Sequence, residues 1–165
     1  MPSLPNARIS NALLALLALV AMLVALYLQH HDGLEPCPLC IFQRVAVISF
    51  GVFAMLAALH GPRAWGQRVY AGLMALSAFG GVVVAGRHVW LQHLPADQVP
   101  SCGPGLDFWI AALPWQQVIR QVFQGSGECA KVDWTLLGLS LPTWTLMLFA
   151  GLLLAALVQA VRRPS

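Results

Sequence analysis

Four stretches of the chain stay apolar long enough to cross a lipid bilayer as helices. Ala12 to Leu28 is an unbroken apolar run, and Ile41 to Leu59 is interrupted only by Gln43, Arg44 and Ser49. Val69 to Gly86 holds one clearly polar residue, Ser77, and Thr143 to Val161 is apolar apart from its two threonines and Gln159. A crossing helix needs about 20 apolar residues. Runs of this length exceed a buried strand, and the period-two alternation of a membrane barrel is absent. The pattern predicts an all-α membrane protein: a four-transmembrane-helix bundle forming a single domain, with spans at about 12–28, 41–59, 69–90 and 143–161.

The first run follows Arg8, as a signal-peptide core would follow a basic residue. It is 17 residues long, and Gln-His-His-Asp follows it instead of small residues. Signal-peptide cores are usually about 7–15 residues and end at a small-residue cleavage site. The run is read as a retained span.

Lys and Arg in the loops set orientation. Arg8, Arg63, Arg68, Arg162 and Arg163 share the side of both termini, against Arg120 and Lys131 on the other. Counting Arg44 and Arg87, at the span edges, with the second group narrows this to five against four. The expected topology puts both termini in the cytoplasm and two segments, about 29–40 and 91–142, outside. The longer segment is the natural place for function. Trp90, Trp109, Trp115, Trp134 and Trp144 lie in it or at its ends, as an aromatic belt at the outer interface would require.

Part of that loop has helical periodicity. From Trp115 to Phe123 the apolar residues are Trp115, Val118, Ile119, Val122 and Phe123, one face of a helix. Pro114 suits the helix start. The expectation is a short interfacial helix lying flat on the outer leaflet. The alternative is a helix packed on the rest of the loop.

Composition narrows the class further. Hydrophobic residues make up 59% and charged residues 9%, against about 25% charged in soluble domains. That excludes a soluble fold and a disordered chain. The net charge of +3 is small and scattered, so no nucleic-acid partner is expected.

All four cysteines, Cys37, Cys40, Cys102 and Cys129, fall on the expected outer side, consistent with an oxidising compartment. Three readings compete: two structural disulfides in a non-enzymatic four-span protein, a four-thiolate zinc site, or redox chemistry. Zinc is disfavoured because Cys102 and Cys129 lack the close spacing of a zinc knuckle, so no metal is expected. A disulfide within Cys37-Pro-Leu-Cys40 closes too small a ring to be a useful staple. The pair opens the second span, where the helix N-terminus favours a thiolate on Cys40. Arg44 lies one turn deeper on the same face. It is either a cation held for function or a snorkelling side chain. Two reactive pairs on one side of a membrane suggest an electron relay by thiol–disulfide exchange. No haem, iron–sulfur or dinucleotide motif offers an acceptor, whereas a membrane-soluble quinone fits a C-x-x-C at the lipid boundary.

The motifs Cys37-Pro-Leu-Cys-Ile-Phe-Gln-Arg44, His88-Val-Trp-Leu-Gln92, Gln121-Val-Phe-Gln-Gly-Ser-Gly-Glu-Cys129 and Trp134-Thr-Leu-Leu-Gly-Leu-Ser-Leu-Pro142 resemble those of the bacterial inner-membrane disulfide bond formation protein B (DsbB) family. The resemblance covers nearly the whole chain. It implies a thiol:quinone oxidoreductase with a bound quinone, ubiquinone or menaquinone. The implied partner is a periplasmic, DsbA-like thioredoxin-fold dithiol oxidase. It further implies that Cys102 forms the mixed disulfide with that partner, Cys129 is released, Cys37 exchanges with Cys129, and Cys40 contacts the quinone. Arg44, and more loosely His88 and Gln92, match positions near the quinone. Arg87 has no role implied by the resemblance.

Overall fold

The structure, a computed structural model, describes residues 6–95, 97–100, 106–132 and 134–162, the side chain of Ala64 apart. Its frame is four helices long and apolar enough to cross a membrane: α1 (Ala7–His31), α2 (Pro38–His60), α3 (Ala64–Gln92) and, after the second loop, a fourth at Leu141–Val161. Each contains one of the apolar runs, and the first three extend beyond it into polar flanks. The start of α1 is capped by Asn6, whose side-chain oxygen accepts from the Arg8 amide at 3.3 Å, which satisfies one of the free first-turn N–H groups.

The second loop holds three short helices, α4 (Leu106–Ala112), α5 (Trp115–Gln124) and α6 (Gly127–Ala130). A two-stranded hairpin follows, β1 (Thr135–Leu136) and β2 (Leu139–Ser140), with Thr135 paired to Ser140 and Leu136 to Leu139. Its two-residue turn, Leu137-Gly138, has φ of 53° and 79°, the positive values that match the twist of paired strands. The last long helix is therefore α7 (Leu141–Val161).

Helix α1 packs on α2, α2 on α3, and α3 on α7. Their shared core is built from small residues and a few large ones: Ala15, Ala18, Ala54, Ala71, Ala78 and Ala156 around Phe50, Met74, Phe149 and Leu152. Membrane helices associate through such close packing because lipid is as apolar as leucine. Gly81 is the clearest case. A Cβ there would overlap the Phe149 ring, so the missing side chain lets α7 press its largest core residue onto α3. The outward faces carry exposed leucines, including Leu13, Leu16, Leu23, Leu76 and Leu154. At the end bearing the termini, Arg8 donates to the carbonyl oxygens of Ala58 and Leu59 at 2.7 and 2.9 Å, capping the C-terminus of α2. The protein is a multi-pass membrane protein.

The opposite end has a second core: Leu39 from α2, Val84 and Leu91 from α3, Trp109 from α4, Val118 and Val122 from α5, with Cys37 and Cys129. This changes two expectations. Helix α5 exists, but its apolar face is split. Val118 and Val122 are buried in this core, while Trp115 and Ile119 remain exposed at 68% and 46%. The loop does have a core of its own for α5 to pack on, while Trp115 and Ile119 keep an apolar edge facing outward. Trp109, read as a belt residue, is buried at the centre of that core.

Candidate functional site

The site starts from the first turn of α2. Cys37 is the N-cap residue, with extended backbone, and Pro38 opens the helix, where its missing N–H costs nothing. The sulfurs of Cys37 and Cys40 stand 3.3 Å apart. Both are free thiols in this structure, as is Cys129.

From α3, His88 reaches between them. Its Nε2 is 3.9 Å from Cys37 Sγ and its Nδ1 3.9 Å from Cys40 Sγ. Gln43, one turn beyond Cys40, places its side-chain nitrogen 3.2 Å from Nδ1. Both His88 and Gln43 are buried. Gln43 stood in the sequence only as a polar interruption of the second span, and the structure shows it holding the imidazole.

From α6, the fully buried Cys129 completes the group. The ligating atoms of Cys37, His88 and Cys129 all lie within 4.8 Å of one another. Ser126 Oγ is 3.7 Å from Cys129 Sγ. The neighbouring Cys37 sulfur, together with burial, pushes the Cys129 thiol pKa well above its ordinary value, since both favour the protonated form.

Two polar clamps from α3 hold the segment that carries Cys129. Arg87 donates to the carbonyl oxygens of Phe123 and Gln124, at the end of α5, at 2.8 and 3.2 Å. Gln92 donates to the Lys131 carbonyl at 3.4 Å and accepts from Ser140 Oγ at 2.7 Å. Between the clamps, Gly125 turns the chain at φ 85° directly over Leu91, where a Cβ would sit 2.5 Å from a leucine methyl. Glycine is required there both by conformation and by space.

Arg44 lies on the other side of Cys40. Its guanidinium crosses to α1, donating to Gln29 Oε1 at 2.5 Å and to the Ala25 carbonyl at 3.3 Å. The two bonds tie α2 to α1. Arg44, Gln43 and Cys40 line a mostly apolar cavity of about 110 Å³ between α1, α2 and α7, walled by Met22, Leu28, Val47 and Phe149 among others. His88 and Gln92 line the adjoining cleft of about 70 Å³, which Cys37 and Cys40 also border. Cys40 thus faces both spaces. Cys102, with Gly103, Pro104 and Gly105, lies outside the described residues.

Four membrane-crossing helices with three thiols and an imidazole converging beneath one end define a polytopic membrane protein organised around cysteine chemistry. Over residues 7–159 the chain matches the family described as Disulfide bond formation protein DsbB, and it belongs to that family. It is 55% identical over 156 residues to Disulfide bond formation protein B of Acinetobacter baumannii, covering 94% of this chain and 91% of that protein. The corresponding protein of Acinetobacter baylyi is 54% identical over 157 residues, covering 94% and 92%. That of Psychrobacter cryohalolentis is 51% identical over 160 residues, covering 96% and 91%. The chain is a disulfide bond formation protein.

Proposed function

We propose that the protein is a thiol:quinone oxidoreductase of the bacterial inner membrane, with its termini in the cytoplasm and its cysteines facing the periplasm. It reoxidises a thioredoxin-fold dithiol oxidase. The observation that carries this reading is the position of Cys40. It lies within 3.3 Å of the Cys37 sulfur and also borders the apolar cavity that Arg44 lines.

In this reading a thiolate of the partner attacks Cys102 and breaks the Cys102–Cys129 disulfide. The second partner thiol then displaces Cys102, leaving the partner oxidised and this pair reduced. Cys129 attacks Cys37 of the Cys37–Cys40 disulfide, and Cys40 leaves as a thiolate; Cys102 then attacks Cys129, which restores the Cys102–Cys129 disulfide and releases Cys37, so that the electron pair rests on Cys37 and Cys40. His88, with one ring nitrogen toward each sulfur of the C-x-x-C pair, takes and returns the thiol proton at Nε2 or Nδ1. Gln43 fixes the ring. Arg87 and Gln92 keep Cys129 in reach of Cys37.

The cavity beside Cys40 suits a quinone, ubiquinone or menaquinone: its walls are apolar, and Arg44 offers a charged donor for a carbonyl oxygen. A quinone bound there supplies a two-electron, two-proton acceptor.

The test uses purified protein loaded with ubiquinone, under anaerobic conditions. A reduced thioredoxin-fold dithiol substrate should abolish the quinone absorbance in a 1:1 ratio, and Cys40→Ser should prevent this. Unchanged quinone absorbance with the wild-type protein would refute the reading.

A further inference from the structure

The fold assembles a metal donor set that the cysteine spacing does not reveal. Counting thiols alone argues against zinc, because Cys102 and Cys129 are far apart. The structure brings together a different trio: one thiol from α2, one from α6 and an imidazole from α3, with ligating atoms all within 4.8 Å. We propose that the fully reduced protein binds one Zn²⁺, or a cation of similar size and softness, through Cys37 Sγ, Cys129 Sγ and His88 Nε2.

Zn–S bonds are about 2.3 Å and Zn–N bonds about 2.0–2.1 Å in tetrahedral sites. That geometry puts sulfur and nitrogen ligands about 3.6 Å apart and two sulfurs about 3.8 Å apart. Cys37 and His88 stand at 3.9 Å, so the trio closes on a cation with shifts of about 1 Å or less. Two thiolates and a neutral imidazole balance a divalent cation. The buried complex then carries no net charge, which a largely dry site tolerates. Zn²⁺ displaces the two thiol protons to solvent, and no electron is transferred.

The surroundings suit this use. A ligating imidazole needs its other nitrogen held. Gln43 is already 3.2 Å from Nδ1 and needs only present its amide oxygen to the Nδ1–H. The entry route is the cleft bordered by Cys37 and His88, where Glu35 and Glu128 lie beside a single Lys131. The fourth position is left to solvent from this cleft.

The site exists only when Cys37 and Cys129 are both reduced, since a disulfide at either removes a thiolate. A bound cation would also withhold both thiolates from exchange. That consequence rests on the proposed relay, whereas binding itself does not.

The experiment uses the full-length protein in detergent, reduced with a phosphine, freed of reductant anaerobically and titrated with Co²⁺. Neither quinone nor dithiol partner is present, so the outcome is separate from that of the relay. One equivalent should give thiolate-to-cobalt absorption and a tetrahedral ligand-field spectrum, and Zn²⁺ should displace it. The oxidised protein should give neither signal. Cys40→Ser should retain binding, while His88→Ala and Cys129→Ser should each weaken it about tenfold or more. X-ray absorption at the zinc edge of the wild-type complex should show mixed sulfur and imidazole ligation, a readout that needs no variant. Absence of a 1:1 signal in the reduced protein, an equal signal after oxidation, unweakened binding in His88→Ala, or a shell without sulfur would each overturn the proposal.

Discussion

Arg87 Nε donates to the carbonyl oxygen of Phe123 at 2.8 Å, joining the loop-side end of α3 to the last turn of α5. The same guanidinium reaches the Gln124 carbonyl, and its Cζ stands 4.1 Å from the Trp90 ring centroid. The last carbonyls of a helix lack partners within it, and a cation is favourable there. The clamp therefore fixes the point at which the chain turns toward Cys129. Arg87→Ala removes both hydrogen bonds from a partly exposed site, a local loss of about 1–2 kcal/mol. Amide exchange over residues 121–130 should accelerate about 5- to 30-fold, while the four long helices keep their protection. Arg87→Lys should restore about half the effect, since an ammonium cannot span both carbonyls. Unchanged exchange would mean that Val118 and Val122 hold α5 unaided.

Arg44 ties α2 to α1 and also lines the cavity beside Cys40. A charged hydrogen bond to a quinone oxygen is worth about 1.5–3 kcal/mol, roughly 10- to 150-fold in affinity. Arg44→Ala should therefore raise the quinone KM at least about tenfold and move the dithiol KM much less. Gln29→Ala removes the side-chain half of the tie, leaving the bond to the Ala25 carbonyl, and keeps the cation, so it should raise the quinone KM by no more than about threefold. Steady-state measurements with each substrate varied in turn decide between the roles. Equal effects in the two variants would reduce Arg44 to a helix tie.

Gly81 and Phe149 make a close approach between α3 and α7 that leaves no room for a Cβ. A methyl group at residue 81 must displace the ring, and overpacking of this kind costs about 1–3 kcal/mol. Gly81→Ala should lower the thermal midpoint in detergent, followed by far-ultraviolet circular dichroism. Adding Phe149→Leu should recover part of the loss. Additive losses in the double variant would show that the two positions do not compete for one space.

The four spans were legible because each is a long apolar run in a chain with few charges. The C-x-x-C at the start of α2 was legible because Pro38 and the polar residues before Cys37 mark the helix start. The second core was not. Val118 and Val122 have helical spacing, but their partners Leu39, Leu91 and Trp109 come from three other helices. A tryptophan in an outer loop carries no mark that separates a core residue from a belt residue. Arg87 was unreadable for a different reason: its partners are backbone carbonyls, which leave no trace in side-chain identity. The hairpin turn was equally silent, since Leu-Gly is a weak turn signal beside Asn-Gly. His88 was singled out through resemblance alone; that its two nitrogens face two thiols depends on α3 packing against α2, which its position in the sequence does not reveal.

Cys129 gives the reduced protein a pH dependence of defined sign. The Cys37 sulfur beside it, with burial, raises its pKa in the folded state. The folded protein thus holds this proton more tightly than the unfolded chain does. Its contribution to stability is complete below the ordinary thiol pKa of about 8.5 and is lost as pH rises toward the folded value. The thermal midpoint of the fully reduced protein should be steady from about pH 6 to 8 and fall progressively above that range. The oxidised protein, whose Cys129 sulfur carries no proton, should lack this component. A thermal midpoint of the reduced protein that does not fall between about pH 8 and 10 would show that the folded state does not hold this proton.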